Sequence, residues 1–172
     1  MNVILIGMPG CGKSTVGVLL AKSLLCEFVD TDLLIQTRYG KSLCELIAEY
    51  GLDRFKEMEN DVLCSLSCDR CVVATGGSAV YGEEAMRHLR ENGTTVYLKL
   101  SPDDIVSRIQ NITTRGIAMK AGCTIADLYE ERAPLYERYA DHTVDCTALT
   151  AEACVSTVAE RVKDAFVRSA QK

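Results

Sequence analysis

Between residues 7 and 14 the chain reads Gly-Met-Pro-Gly-Cys-Gly-Lys-Ser, which fits G-x-x-x-x-G-K-[S/T] at every fixed position. A continuous apolar run, Val3 to Ile6, comes before it. Apolar residues at helical spacing (Val16, Leu19, Leu20, Leu24) follow between Lys13 and Leu25. Strand, glycine-rich turn and helix in that order restrict the fold more than any other stretch. Glycine lets the main chain take positive φ and wrap close to oxygen atoms. Successive N–H groups and the following helix N-terminus then face an anion. Lys13 is placed to neutralise β and γ phosphates, and Ser14 offers a hydroxyl to Mg²⁺. The segment therefore implies a nucleoside-triphosphate site, ATP or GTP.

The rest of the chain alternates in the same way. Glu27–Asp30, Cys71–Ala74, Thr94–Leu98 and His142–Asp145 read as further strands. Ser42-Leu43-Cys44-Glu45 is a capping box, which predicts a helix to Tyr50. A second helix is expected from about Leu52 to Leu66, with Phe55, Met58, Val62 and Leu66 on one face. Further helices are expected over Glu83–Arg90, after the hydroxyl cap and proline of Ser101-Pro102-Asp103-Asp104, from Thr124 to about Tyr139, and from Thr150 onward. Residues 111–123 have weak periodicity and read as a mobile lid. Five strands with helical crossovers predict one α/β domain over residues 1–172. Its architecture is three-layer α/β/α around a five-stranded parallel sheet, with ligands at the carboxyl ends of the strands.

Composition narrows the function classes. A net charge of −5 over 172 residues gives no sequence-wide attraction for nucleic acid or an anionic membrane. The apolar start is short, lacks a basic flank and runs into the glycine loop, so it reads as a strand and not a signal peptide. Nine cysteines are many, yet only Cys68 and Cys71 stand at two-residue spacing, with no second pair. Reduced thiols acting as small core residues, in a cytoplasmic setting, are the expectation.

A chain this short, without N-K-x-D, suits a small-molecule kinase. Asp30-Thr31-Asp32 follows the second strand directly. One carboxylate can serve the metal and the other an acceptor hydroxyl. Aspartate also caps helices, and spacing alone leaves both roles open.

Order and spacing then bring a resemblance. The loop continued to Thr15, Asp30-Thr31-Asp32, Phe55-Lys56-Glu57-Met58-Glu59, Gly76-Gly77-Ser78-Ala79-Val80, Arg115 and Glu131-Arg132-Ala133-Pro134-Leu135-Tyr136 together resemble the shikimate kinase family over nearly the whole chain. The resemblance implies transfer of a phosphoryl group from ATP, with Mg²⁺, to shikimate. It implies that Gly10, Cys11, Gly12, Lys13, Ser14 and Thr15 hold the nucleotide. Arg108 would lie along adenine, and Arg115 would close on the phosphates. Ser14 and Asp30 would serve the metal. Asp32 would meet the acceptor hydroxyls and take the proton, so that Lys13, Asp32 and Arg115 form the catalytic set. Gly76, Gly77, Ser78, Lys56 and Arg132 would line the acceptor pocket, with Arg132 on the substrate carboxylate.

Three positions depart from the family pattern. Lys56 stands where the family has arginine, which keeps the charge but loses the planar fork. Ser78 replaces a third glycine. The lid reads Arg115-Gly116-Ile117 in place of Arg-Pro-Leu. Two rival readings remain: a kinase for another small acceptor (a nucleotide, gluconate or an amino-alcohol), and an idle nucleotide-binding module. The intact Lys13, Ser14 and acidic pair argue against the second. The chain is expected to be a cytoplasmic monomer with small-molecule partners only.

Overall fold

The computed structural model describes residues 1–109, 116–120 and 122–169. Five parallel strands form one sheet in the order β2-β3-β1-β4-β5. They are β1 (Asn2–Ile6), β2 (Glu27–Asp30), β3 (Cys71–Ala74), β4 (Gly93–Lys99) and β5 (His142–Asp145). The apolar run of β1 takes the centre, and all five of its residues are buried. A strand flanked on both sides and covered on both faces has no polar face to offer.

Helices α1 (Lys13–Leu24) and α7 (Ala151–Ser169) pack together, with α1 also against β2 and β3. On the other face α4 (Glu83–Asn92) packs on β1 and β4 and against α3 (Leu43–Cys64). Helices α5 (Pro102–Arg108) and α6 (Ile125–Tyr139) pack against each other, and α2 (Thr31–Tyr39) against α3. This is the expected three-layer architecture. No helix among the described residues is long and apolar enough to cross a membrane.

The capping box closes as the sequence predicts: Ser42 Oγ accepts from Glu45 N at 3.3 Å and the Glu45 carboxylate from Ser42 N at 2.8 Å. Such a cap contributes about 1 kcal/mol. The two helices expected on either side of residue 51 are both present within α3, parted at Gly51, whose φ of 79° and ψ of 168° are not helical; the second ends at Cys64. Leu66 falls beyond its end, half-buried against the main core. Helix α2 was not expected from the pattern, because it is short and only Thr31 and Ile35 are buried on it.

The main core wraps β1, β3 and β4. A second, smaller cluster joins Ile35, Leu43, Leu46, Phe55, Met58, Val62 and Ala118. It seats α2, α3 and part of the segment read as a lid. Gly116 (φ 62°) lies there so close to α3 that a Cβ would stand 2.6 Å from the Leu43 Cβ. Glycine at this departure from the family pattern lets the segment lie flat on the helix.

The strand register builds the site. Leu5 pairs with Ala74, and Ala74 with Asp30. The carboxyl ends of β1, β3 and β2 therefore stand level, and the phosphate loop, the Gly76–Gly77 turn and Asp30 emerge side by side. Thr75 ties that turn to β1 through its N–H and its hydroxyl, both donated to Leu5 O at 3.1 and 3.0 Å.

Candidate active site

A cavity of about 660 Å³ opens above these strand ends. Gly10, Gly12, Lys13, Ser14 and Thr15 line one end, with Arg108 beside them. Asp32, Gly76, Gly77, Ser78 and Arg132 line the other.

At the first end the loop turns tightly out of β1. Gly7 has φ 147°, and a Cβ there would stand 2.7 Å from Leu98 O. Lys13 is buried, and its Nζ donates to Gly7 O at 2.8 Å and Met8 O at 2.9 Å. The ammonium is thus held inside the loop. Cys11 is also buried, its Sγ 3.6 Å from Lys13 Nζ, and its side chain does not line the cavity. What this residue offers a ligand is main chain only.

Asp30 joins the two ends. Its Oδ1 caps α2, accepting from the N–H groups of Asp32 (3.0 Å) and Leu33 (3.4 Å). Its Oδ2 accepts from Ser14 Oγ at 2.7 Å. Mg²⁺ favours a few hard oxygen ligands alongside substrate phosphates and water, not an all-protein cage. A hydroxyl and a carboxylate converging beside the phosphate loop fit that donor set.

The acceptor end is built from three elements. Thr31 Oγ1 accepts from Gly76 N at 3.1 Å, fastening the turn after β3 to the start of α2. Asp32 follows on α2. Burial, helped by the Asp30 charge, pushes its carboxyl up to about 6, against the pull of Lys13. Arg132 comes from α6 and is 1% exposed. Its Nε donates to Tyr81 Oη at 3.1 Å and its Nη2 to Ala118 O, while Nη1 is buried without a hydrogen-bond partner among the described residues. That free nitrogen lies 3.1 Å from where a Gly77 Cβ would stand. Glycine therefore keeps the approach to the guanidinium open.

The structure brings most of the expected residues to this one cavity. Lys56 is not among those lining it; its ammonium lies over the Tyr81 ring, 4.1 Å from the centroid. The Arg132 guanidinium lies 5.1 Å from the same centroid. Ser78 turns its hydroxyl to Glu59 Oε2 at 2.5 Å. Arg115 lies outside the described residues, as does part of the segment 111–123.

Sequence reasoning gave no role to Glu59 or Tyr81. Tyr81 Oη accepts from Arg132 and donates to Glu131 Oε1 at 2.7 Å, steering the guanidinium. Glu59 is 2% exposed, and its carboxyl is pushed up to about 7 by burial and by Asp32. A signal for Glu59 existed. It stands four residues after Phe55 and three before Val62, a carboxylate on a buried stripe.

The sequence model of the family described as shikimate kinase matches residues 9–163. The shikimate kinase of Bacillus anthracis is 34% identical over 164 residues, which cover 95% of this chain and 99% of that protein. The shikimate kinase of Nitratidesulfovibrio vulgaris is 40% identical over 153 residues, covering 83% and 85%. Among solved structures, shikimate kinase from Acinetobacter baumannii in complex with shikimate superposes with a TM-score of 0.80 at 27% identity, covering 99% of this chain and 95% of that one.

Proposed function

The chain belongs to the shikimate kinase family, and on that footing we propose that it moves the γ-phosphoryl group of ATP to shikimate, giving 3-phosphoshikimate. The observation that carries this reading is the pairing within one cavity. A phosphate loop lies at one end; a carboxylate, and a buried guanidinium whose Nη1 has no hydrogen-bond partner among the described residues, lie at the other. A nucleotide tail and a hydroxylated carboxylic acid together answer those groups.

Phosphoryl transfer passes through a loose transition state, so positioning and charge neutralisation supply most of the acceleration. Lys13 and the loop amides take the β and γ phosphates; to do so Lys13 exchanges its bonds to Gly7 O and Met8 O for phosphate oxygens. Ser14 and Asp30 would hold Mg²⁺, which would supply charge neutralisation to the phosphates. Arg132 pairs with the acceptor carboxylate through Nη1. Asp32 accepts a hydrogen bond from the acceptor hydroxyl and takes its proton as the new P–O bond forms. With its carboxyl near 6, Asp32 is ionised at neutral pH and still basic enough for the task. Arg108 lies along adenine. Arg115, within the 111–123 lid, closes on the phosphates and helps exclude water.

We read residues 1–172 as one catalytic domain, acting as a cytoplasmic monomer with no nucleic-acid or membrane partner. Titration calorimetry tests the assignment of the two ends. Arg132→Lys is expected to weaken shikimate binding and leave ATP binding intact. Equal loss of both ligands would break the assignment.

A further inference from the structure

Two thiols that the mechanism above does not use meet where the last strand passes into the last helix. Cys146 follows β5 directly, and its N–H donates to Lys99 O on β4 at 2.8 Å. Cys154 lies at the start of α7, its N–H donating to Thr150 O at 3.0 Å. The turn between them closes with Leu149 N–H on Cys146 O at 3.2 Å and takes Ala148 to φ 60°. It brings the helix back to the strand end, and the two Sγ atoms stand 2.7 Å apart. Both residues are buried, at 4% and 3% exposure, and neither lines the cavity. A disulfide holds its sulfurs about 2.0 Å apart, so a side-chain movement of less than about 1 Å closes the gap.

The surroundings give the two sulfurs different parts. Cys146 keeps its proton: its hydrogen bond to Cys154, burial, and the charges of Cys154, Cys11 and Asp145 all push it up. The Val144 carbonyl, 3.6 Å from its Sγ, is a further acceptor for that proton. Cys154 is pulled down, chiefly by the Cys146 thiol donating to it and also by the Arg108 guanidinium, against burial. The thiolate is the nucleophile, so Cys154 is the attacking sulfur and Cys146 the resolving one. Cys68 and Cys71 also lie close to each other, but burial pushes both of those thiols up, Cys71 to about 12.

We propose that Cys146 and Cys154 are a reversible redox pair, which hydrogen peroxide closes to a disulfide that clasps α7 to the end of β5. The Cys154 thiolate attacks one peroxide oxygen. The O–O bond breaks, Cys154 becomes a sulfenic acid, and the second oxygen leaves as hydroxide, which takes up the proton that Cys154 had released. Cys146 Sγ then attacks Cys154 Sγ. The S–O bond breaks, and the departing hydroxide leaves as water with the Cys146 proton. Two thiols are thus oxidised by two electrons, and one peroxide is reduced to two waters. Two molecules of a small thiol reopen the bond by exchange. In a reducing compartment such a bond is transient, which suits a sensor and not a permanent bridge.

The test is peptide mapping of the folded, reduced wild type after brief treatment with hydrogen peroxide, with free thiols alkylated before digestion. Trypsin cuts after Arg138 and Arg161 and releases both cysteines on one peptide. In most molecules that peptide is expected to carry no alkyl group and to be lighter by two hydrogens. Dithiothreitol should return it to the doubly alkylated form. In Cys154→Ser the remaining Cys146 should stay open to alkylation once the protein is unfolded. The oxidised wild type should melt about 5 °C above the reduced protein, with no such rise in the variant.

Full alkylation of both cysteines after peroxide would overturn the proposal. So would oxygen added to either sulfur without a bridge, a bridge from Cys146 to Cys11, or closure of Cys68 on Cys71 while Cys146 and Cys154 stay open. A bridge with no rise in Tm would overturn the clasp. If Cys154→Ser does not fold, the map and the melt of the wild type decide alone.

Discussion

At the phosphate end of the cavity Lys13 Nζ is held by two loop carbonyls and Ser14 Oγ by Asp30; at the acceptor end Arg132 Nη1 and Glu59 Oε1 are buried with no hydrogen-bond partner among the described residues. One end is closed on itself, and the other carries unmet hydrogen-bonding groups. An unsatisfied buried polar group costs about 1–3 kcal/mol, more when charged. The acceptor end is thus built at a cost, and a ligand that reaches Arg132 relieves its share of it, while the phosphate end must first exchange internal bonds. The two ends also rest on different packing. The loop grows from the main core around β1, whereas the acceptor end spans both clusters, with α6 and the segment after β3 in the main core and α2 and much of α3 in the smaller one.

The largest effect that separates the ends is expected where they meet. Asp32→Asn should lower kcat by about 10²–10⁴-fold while the affinity for ATP is kept. Single-turnover kinetics with a nucleotide titration checks it, and unchanged turnover would take Asp32 out of the chemistry. Next comes Arg132→Lys, which keeps the charge but loses the fork that reaches Tyr81, Ala118 and the pocket together. It should raise the KM for shikimate by about 10–100-fold, with the KM for ATP unmoved. A comparable rise for ATP would erase the distinction between the ends.

A third test reads stability. The folded-state pKa of Glu59, about 7, is above its ordinary value of 4.5. Its contribution is therefore fully present below pH 4.5 and is lost as pH rises through about 7. The wild type should lose on the order of 2–3 kcal/mol relative to Glu59→Gln between pH 4.5 and pH 8. Urea melts at the two pH values measure this, and a constant difference would contradict the buried, raised carboxyl. The smallest effect belongs to Lys56, which packs on Tyr81 and not in the cavity. Lys56→Arg should leave the KM for shikimate unchanged or lowered, within about threefold. A large rise would mean that this pocket is shaped for another acid.

The two ends also differ in how far the sequence reveals them. The phosphate loop is local: its spacing, the strand before it and the helix after it are contiguous, and each residue type has a backbone or charge reason to be there. The strands were legible because a sheet covered on both faces needs unbroken apolar runs, as in β1 and β3. The acceptor end is assembled from α2, α3, the turn after β3 and α6, which are far apart in sequence. Its buried charges, Glu59 and Arg132, look like ordinary helix residues until the stripe they share with Phe55, Val62 and Leu128 is recognised. Helix α2 was hidden because a short helix that buries only two residues leaves little periodicity. The direction of the Ser78 hydroxyl is a tertiary fact, set by where α3 brings Glu59.

The central claim is that one cavity joins a triphosphate grip to a site for a hydroxylated carboxylic acid. Coupled ADP release, with Mg²⁺ and ATP fixed and shikimate, quinate, gluconate, homoserine, threonine and AMP offered in turn, tests it most directly. The account predicts rapid ADP formation with shikimate and little with the others. Faster turnover on gluconate, homoserine or AMP than on shikimate would contradict it.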